Sequence, residues 1–560
     1  MTGSFAVYRV VVIGLTALAV LAPLSLVFYQ SLLTGPIFEP AAPLSTSAYN
    51  AAFADPDFWK AFGTTMLVAG GTTAIALPLG ALFAVWIVRT DLPGRTWLEP
   101  LIIAPAFVST LIIAFGYVVV LGPTGFASTA VKSLLGSVPW NLHSLSALIV
   151  IAGLIHVPYV YLCAAAALRG RGGELEETAR VAGAKPWRVA IDVSLPLLLP
   201  AILFAGALVF FLGFEMFGLP LVLGDPQGHL VLTTYLYKLT GKLGVPPHQL
   251  VAVVVVVMVA VAAPLLLLQR LLLRQAQRNV SAGGERSEHT AAPLRLGRWR
   301  WPAFLVIAVW LGVTVVVPLA SIALRSFTAS WGEGAVLSEL LTLDHYRKLL
   351  DRPDLVRGMF DTLGLGVIGG AIAVVCYTAI ALAIHRWPSR RARVVDDLVM
   401  LPRALPGLAA GLALVWLCLA ARPLTPLKET LVAVWLAYTI VWLAVGTRLV
   451  SAALMRVAPE LEEAARTIGA DERRVRRDVT VPLIRHGLLA SWLIVFLIFV
   501  REYSAGVYLL GPKTEMIGSL LVSLWDTGAV DLVSVLSVVN VVMIGIGLAL
   551  AVRFGVRLNG

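Results

Sequence analysis

Twelve stretches of this chain are each apolar over more than twenty residues: roughly 9–31, 61–88, 98–121, 143–168, 196–223, 249–272, 303–325, 358–385, 397–421, 428–450, 484–510 and 530–553. A helix rising 1.5 Å per residue needs about 20 such residues to cross a hydrocarbon core ~30 Å thick. With 59% of its 560 residues hydrophobic and 13% charged, the chain carries more apolar surface than a water-soluble core uses. The period-two alternation of a membrane β-barrel is absent. The expected fold class is therefore all-α, a polytopic membrane protein. Residues 1–9 and the run behind them resemble a signal peptide in outline. That run exceeds the ~7–15 apolar residues of such a signal, so it reads as an uncleaved first helix.

One long polar stretch, 273–302, separates spans six and seven; Ser, Gly and Arg dominate it and no apolar period persists. It reads as a flexible cytoplasmic linker between a first six-span repeat, 1–272, and a second, 303–560. In each half the order is a span, an outer loop, three more spans, a charged island and two last spans. An even number of spans per half requires one orientation for both, so the architecture expected is two parallel tandem six-helix repeats. Other echoes support duplication. RTDLPGR at 89–95 and RWPSRRAR at 386–393 close the second span of their halves, and Pro105 and Pro402 follow shortly. Placing both termini in the cytoplasm puts most of the 43 Lys and Arg on the cytoplasmic side, as the positive-inside rule demands. The net charge of +11 is thus an orientation signal and gives no support for nucleic-acid binding.

The two charged islands carry nearly one text. ELEETARVAGAKPWRVAIDVSLPL at 174–197 and ELEEAARTIGADERRVRRDVTVPL at 460–483 agree at 14 of 24 positions. Glu174, Glu177, Ala179, Gly183 and Pro196 pair with Glu460, Glu463, Ala465, Gly469 and Pro482. Acidic residues in a first helical turn complement the helix dipole, and a glycine behind them can take the left-handed conformation that ends a helix. Small alanines beside charged residues suit docking into a groove of a soluble partner. A solvated loop obeying the charge rule is the plainer reading, and the match between otherwise diverged halves weighs against it.

This pattern, Glu-Ala-Ala, three residues and Gly, then a hydrophobic residue and Leu-Pro, resembles the signature loop of membrane subunits of bacterial ABC importers. The first copy departs from it with Thr178 for the central alanine. The resemblance implies a loop helix that docks on a cytoplasmic ATPase subunit, two copies of that subunit, and an extracytoplasmic solute-binding protein that delivers cargo. It also implies a plasma-membrane (inner-membrane) location. The fused twelve-span form, with FEMFGLPLVLG at 214–224 and REYSAGVYLLGP at 501–512, looks most like the permeases of ferric-iron importers, with thiamine permeases close behind. Ferric iron is the cargo expected; thiamine, an aminophosphonate or a polyamine are alternatives.

No G-x-x-x-x-G-K-[ST] stretch exists, so ATP is expected on the partner subunit and no cofactor on this chain. The eight histidines are scattered and no catalytic constellation is visible, so an enzyme is not expected. His156, alone in mid-span, reads as packed or helix-bonded. Cys163, Cys376 and Cys418 lack paired spacing and read as small core residues. Charges inside a membrane are costly and draw attention by default. Glu215 in span five, with Arg501, Glu502 and Tyr503 in span eleven, are expected to line a translocation path. An interhelical ion pair, or wetting near the outer interface, is the alternative. The loops 32–60 and 326–357 correspond between halves and are candidates for docking the binding protein. A rival function is a secondary transporter of the major facilitator type, also built of six and six spans. That fold gives no reason for a helix–Gly–helix island after the fourth span of each half.

Overall fold

The structure, a computed structural model, describes residues 3–39, 42–170, 174–185, 188–241, 247–281, 294–329, 331, 341–385, 390–471, 474–511 and 514–553. Among them the regular elements are all helices; the β-type pairs are isolated bridges. The helices that matter below are, in chain order, α1 (Gly3–Ser31), α2 (Pro56–Arg89), α3 (Arg95–Ile103), α4 (Thr110–Leu121), α5 (Leu145–Gly170), α6 (Glu174–Val181), α7 (Leu195–Phe214) and α8 (His248–Ser281). The second half supplies α9 (Arg300–Leu311), α10 (Val317–Ser326), α11 (Pro353–Gly364), α12 (Gly370–His385), α13 (Arg390–Met400), α14 (Gly407–Ala420), α15 (Leu431–Val441), α16 (Leu443–Leu454), α17 (Pro459–Thr467), α18 (Val481–Arg501) and α19 (Val530–Arg553).

The described residues hold ten helices long and apolar enough to cross a membrane, and two bent pairs that reach that length together. By length and composition these fit ten to twelve of the expected spans, with the third lying over Thr110–Leu135 instead of 98–121. The third span of each half is broken. A 3-10 turn, Ala104–Phe107 or Leu401–Ala404, interrupts it at Pro105 or Pro402, and the second-half pair bends by 104°. Proline lacks the N–H that the preceding turn needs, so the helix cannot continue regularly through it. The fifth span stops at Phe214 and the eleventh at Arg501, short of the expected 223 and 510. The linker is also shorter than 273–302: α8 stays helical to Ser281. Beyond it, Leu294 exchanges backbone hydrogen bonds with Arg89 and Asp91, and Asp91 Oδ1 accepts from Leu296 N at 2.7 Å. The middle of the linker, 282–293, lies outside the described residues.

The duplication extends to the loops that follow α1 and α10. Leu33 bridges Leu44, and Thr328 bridges Leu341. Ser45 N donates to Leu32 O and Thr342 N to Phe327 O, both at 2.7 Å. A short helix follows each bridge, and Pro56 or Pro353 then opens the next span. At Pro56 the preceding Asp55 accepts from Asp57 N at 2.9 Å, a side-chain cap joined to a proline in the first turn.

Two compact units emerge, and they do not coincide with the repeats 1–272 and 303–560. One holds Met1–Ala54, Leu239–Val259 and Tyr346–Asn559; the other holds Asp55–Lys238 and Ala260–His345. In the first unit α1 packs on α12, α13 and α14, burying Val20 in a core with Tyr377, Tyr438, Val450 and Phe499. In the second unit α2, α5 and α7 pack together, and Trp310 of α9 joins Phe83, Val157 and Tyr161 in the core. The leading helix of each half therefore completes the core built from the other half's sequence. The contacts are close packing: α1 sets Val20 beside α14, and α9 sets Trp310 against Phe83 of α2.

Candidate functional site

Both islands fold alike. In the first, α6 ends at Gly183, whose φ of +84° is open to glycine at little cost; in the second, α17 ends at Gly469 with φ +90°. Gly183 N donates to Arg180 O at 2.9 Å and Ala184 N to Ala179 O at 3.0 Å. The same pair recurs as Gly469 N to Arg466 O at 3.0 Å and Ala470 N to Ala465 O at 3.1 Å. This double closure satisfies carbonyls that a helix end leaves open. Next comes a six-residue π-turn, Val189–Ser194 or Val475–Thr480, and then α7 or α18 with Pro196 or Pro482 in its first turn. Each proline leaves the carbonyl four residues back, at Asp192 or Asp478, without its donor. A π-turn gives the ring the room that a regular turn would deny it.

The side chains divide into a face that holds the island and a face that is offered. Glu176 and Glu462, 3% and 4% exposed, point inward. Ser194 Oγ donates to Glu176 Oε1 and Thr480 Oγ1 to Glu462 Oε1, each at 2.8 Å. Arg180 and Arg466, one helical turn on, approach the second oxygen at 3.9 and 3.7 Å. These buried carboxylates tie the island helix to the foot of the next span. Sequence reasoning passed over them, although both belong to the identical ELEE run and both face a hydroxyl 18 residues later.

The outward face holds Glu177, Glu460 and Glu463, all exposed, with Ala179 and Ala465 half-buried beside them. The side chain of Glu174 lies outside the described ones. Val181 and Ile468, 85% and 87% exposed, stand at the tips of the two helices. In the first island Ala179, Ala182, Gly183, Lys185, Arg188 and Asp192 line an open groove of ≈ 560 Å³. The groove wall is mixed in charge, with Lys185 and Arg188 beside Asp192.

Each island has further anchors among the described residues. Arg89 Nε lies 3.3 Å from Glu176 Oε1, and its Nη2 donates to Leu168 O at 2.9 Å, so α2, α5 and α6 meet at one guanidinium. The corresponding Arg386 lies outside the described residues. In the second half, Arg476 of the π-turn stands 5.1 Å from the ring centre of Tyr8, and Tyr8 Oη donates to Ala379 O at 3.0 Å. The first island has Ala190 where the second has Arg476, so its sequence supplies no cation at that position.

The four residues expected to line a path sit at helix ends. Glu215 is half-buried and closes α7, its N–H bonded to Phe211 O at 3.0 Å. Arg501 is the last residue of α18, and Glu502 closes it with an extended backbone. One oxygen of Glu502 accepts from Ser504 N (3.0 Å), Ser504 Oγ (2.6 Å) and Ala505 N (3.3 Å). The other accepts from Trp442 Nε1 at 3.0 Å. Tyr503 is 8% exposed and packs where Gly518 has no side chain. Glu215 belongs to one compact unit and Arg501, Glu502 and Tyr503 to the other. Glu215 and Glu502 both close their helices, although they stand one residue apart in register because α18 has 21 residues and α7 has 20. His156 Nδ1 bonds Ala152 O of its own helix at 2.7 Å, as a helix-bonded residue should.

The described residues contain no group of three His, Cys, Asp or Glu placed to hold a metal ion. The family described as binding-protein-dependent transport system inner membrane component matches residues 76–278 and 375–559, once in each half and after the leading helix of each. A probable ABC transporter permease of Sinorhizobium fredii is 25% identical over 438 residues, 76% of this chain and 74% of that protein. The ferric transport system permease FbpB of Actinobacillus pleuropneumoniae is 22% identical over 485 residues, 84% of this chain and 67% of its own. The Escherichia coli molybdenum transport system permease ModB is 28% identical over 167 residues, 29% of this chain and 70% of its own. With its permease domain present twice in one polypeptide, the chain belongs to the family of binding-protein-dependent transport system inner membrane components, as a fused two-domain ABC importer permease.

Proposed function

We propose that this chain carries ferric iron across the inner membrane, driven by two cytoplasmic ATPase subunits that dock on the faces around Glu177 and Glu463. The observation that carries the reading is the repeated island: one backbone closure, one buried glutamate–hydroxyl tie and one exposed acidic face, made twice. ATP binds and is hydrolysed on the partner. Both termini and both islands face the cytoplasm, in keeping with the distribution of Lys and Arg. A solute-binding protein releases cargo on the opposite side, against the paired loops after α1 and α10.

Iron is favoured by coverage, because similarity to the ferric permease FbpB runs through both halves. Oxygen donors such as Glu215 suit a hard cation. Molybdate is a second reading, favoured by the 28% identity to ModB over a shorter stretch. Uptake in a deletion strain decides between them. Ferric iron uptake is expected to be restored by the native chain and lost with Glu463→Lys or Gly469→Asp. Restoration of molybdate, thiamine or aminophosphonate uptake alone overturns the choice of cargo. Uptake that survives deletion of the ATPase subunit overturns the coupling role.

A further inference from the structure

The fourth spans of the two halves start in one register, at Leu145 and at Leu431, so His156 and Trp442 occupy equivalent positions. In the first half the helix runs through His156 unbroken; in the second it breaks at Trp442 and bends by 64°. Three contacts gather at that bend, all within one compact unit. Trp442 Nε1 donates to Glu502 Oε2 at 3.0 Å, Tyr438 Oη donates to the backbone carbonyl of Glu502 at 2.8 Å, and Tyr377 Oη donates to Thr439 O at 2.9 Å. From the other side Asn540 Nδ2 donates to Val500 O at 3.3 Å. A carboxylate offers about four acceptor sites. Trp442, the Ser504 amide and hydroxyl, and the Ala505 amide supply four donors.

We propose that Glu502 is a positioning residue that clamps the bend of this span to the far end of α18. One of its oxygens takes three protein donors and the other takes Trp442, so its placement is set by the protein around it. α18 begins next to Thr480, the residue that holds buried Glu462 of the second island. Motion of that island therefore travels along one helix to Glu502, and the clamp hands it to the bend at Trp442. The ring of Tyr377 occupies the space that a side chain on Gly446 would need, which keeps the lower arm of the bend against α12.

This inference rests on the reading of the chain as an ATPase-driven permease, and two readouts separate the two. In the purified chain in lipid nanodiscs, amide hydrogen exchange over residues 438–446 reports the clamp without cargo or ATPase. Trp442→Phe and Glu502→Gln are each expected to raise it about tenfold, the order that one hydrogen bond to a charged group is worth. The double variant should add nothing to either single change. In cells, uptake should fall about tenfold in each variant while the membrane level of the chain and ATP hydrolysis by the complex persist. Unchanged exchange overturns the clamp. Raised exchange with native uptake overturns its role in transport. Loss of uptake in Glu502→Gln with native behaviour of Trp442→Phe makes Glu502 a cargo group and also overturns it. Uptake that ignores the ATPase defeats the parent reading and leaves the exchange result standing.

Discussion

The fourth span of the first half, α5, contains Pro158 and runs 26 residues without a break, while its counterpart contains no proline and breaks at Trp442. Local propensity predicts the reverse, since proline removes a helix hydrogen bond and crowds the carbonyl four residues back. In α5 that carbonyl is Leu154 O, and Trp310 Nε1 of α9 donates to it at 3.1 Å. In the second half the carbonyl of Thr439, just before the break, receives Tyr377 Oη instead. An aromatic donor thus meets a weak point of each fourth span, but one donor sustains a straight helix and the other sustains a bend. Backbone polarity inside a membrane has to be satisfied within the protein, and neighbouring helices decide what geometry satisfaction produces.

The comparison is most exposed at the islands. Glu176 meets Arg89, Arg180 and Ser194, and Glu462 meets Arg466 and Thr480. Glu176→Ala should cost about 3–5 kcal/mol by leaving a buried charge uncompensated. Glu462→Ala should cost as much, since it too is a buried carboxylate held by a hydroxyl beside an arginine. Thermal unfolding in detergent measures both, and clearly unequal losses would break the equivalence of the two ties. Next in size is Trp310→Phe, expected to cost about 1–3 kcal/mol because Leu154 O loses its donor. The same change made on Pro158→Ala should cost less, since residue 158 then supplies an N–H. An additive cycle would show that Trp310 serves packing alone. Gly183→Ala and Gly469→Ala should each cost about 1–2 kcal/mol, because both φ values are positive and nothing lies within 4 Å of the added Cβ. A large inequality there would mean that the islands are not equivalent turns. Last is Tyr8→Leu, about 0.5–1 kcal/mol from the lost ring–guanidinium contact and about as much again from the hydrogen bond to Ala379 O. Proteolysis of the two islands in that variant should separate them; equal protection would break this last contrast.

Much of the site was legible because its signals are local. Gly183 and Gly469 end helices where acidic first turns lead up to them, and Pro196 and Pro482 mark the π-turns at the span entrances. Glu176 and Glu462 were legible in principle, as identical residues with a hydroxyl at a shared distance. Exposure separates them from Glu177 and Glu463, and exposure depends on which way the island helix rolls against the next span. The ends of spans five and eleven were not legible. An apolar run continues past Glu215 and Glu502, and the chain leaves the helix after Glu502 because its side chain takes the N–H groups of Ser504 and Ala505.

Sequence alone determined that this chain is a duplicated bundle of membrane helices presenting one turn motif twice, because hydrophobic length, chain direction and left-handed glycine are local properties. Tertiary structure decided which unit each leading helix completes, which fourth span bends and which donors Glu502 meets. Those outcomes depend on donors far away in the chain, such as Trp310 for Leu154 and Tyr377 for Thr439, and a carbonyl in an apolar interior takes whatever donor the packing brings to it.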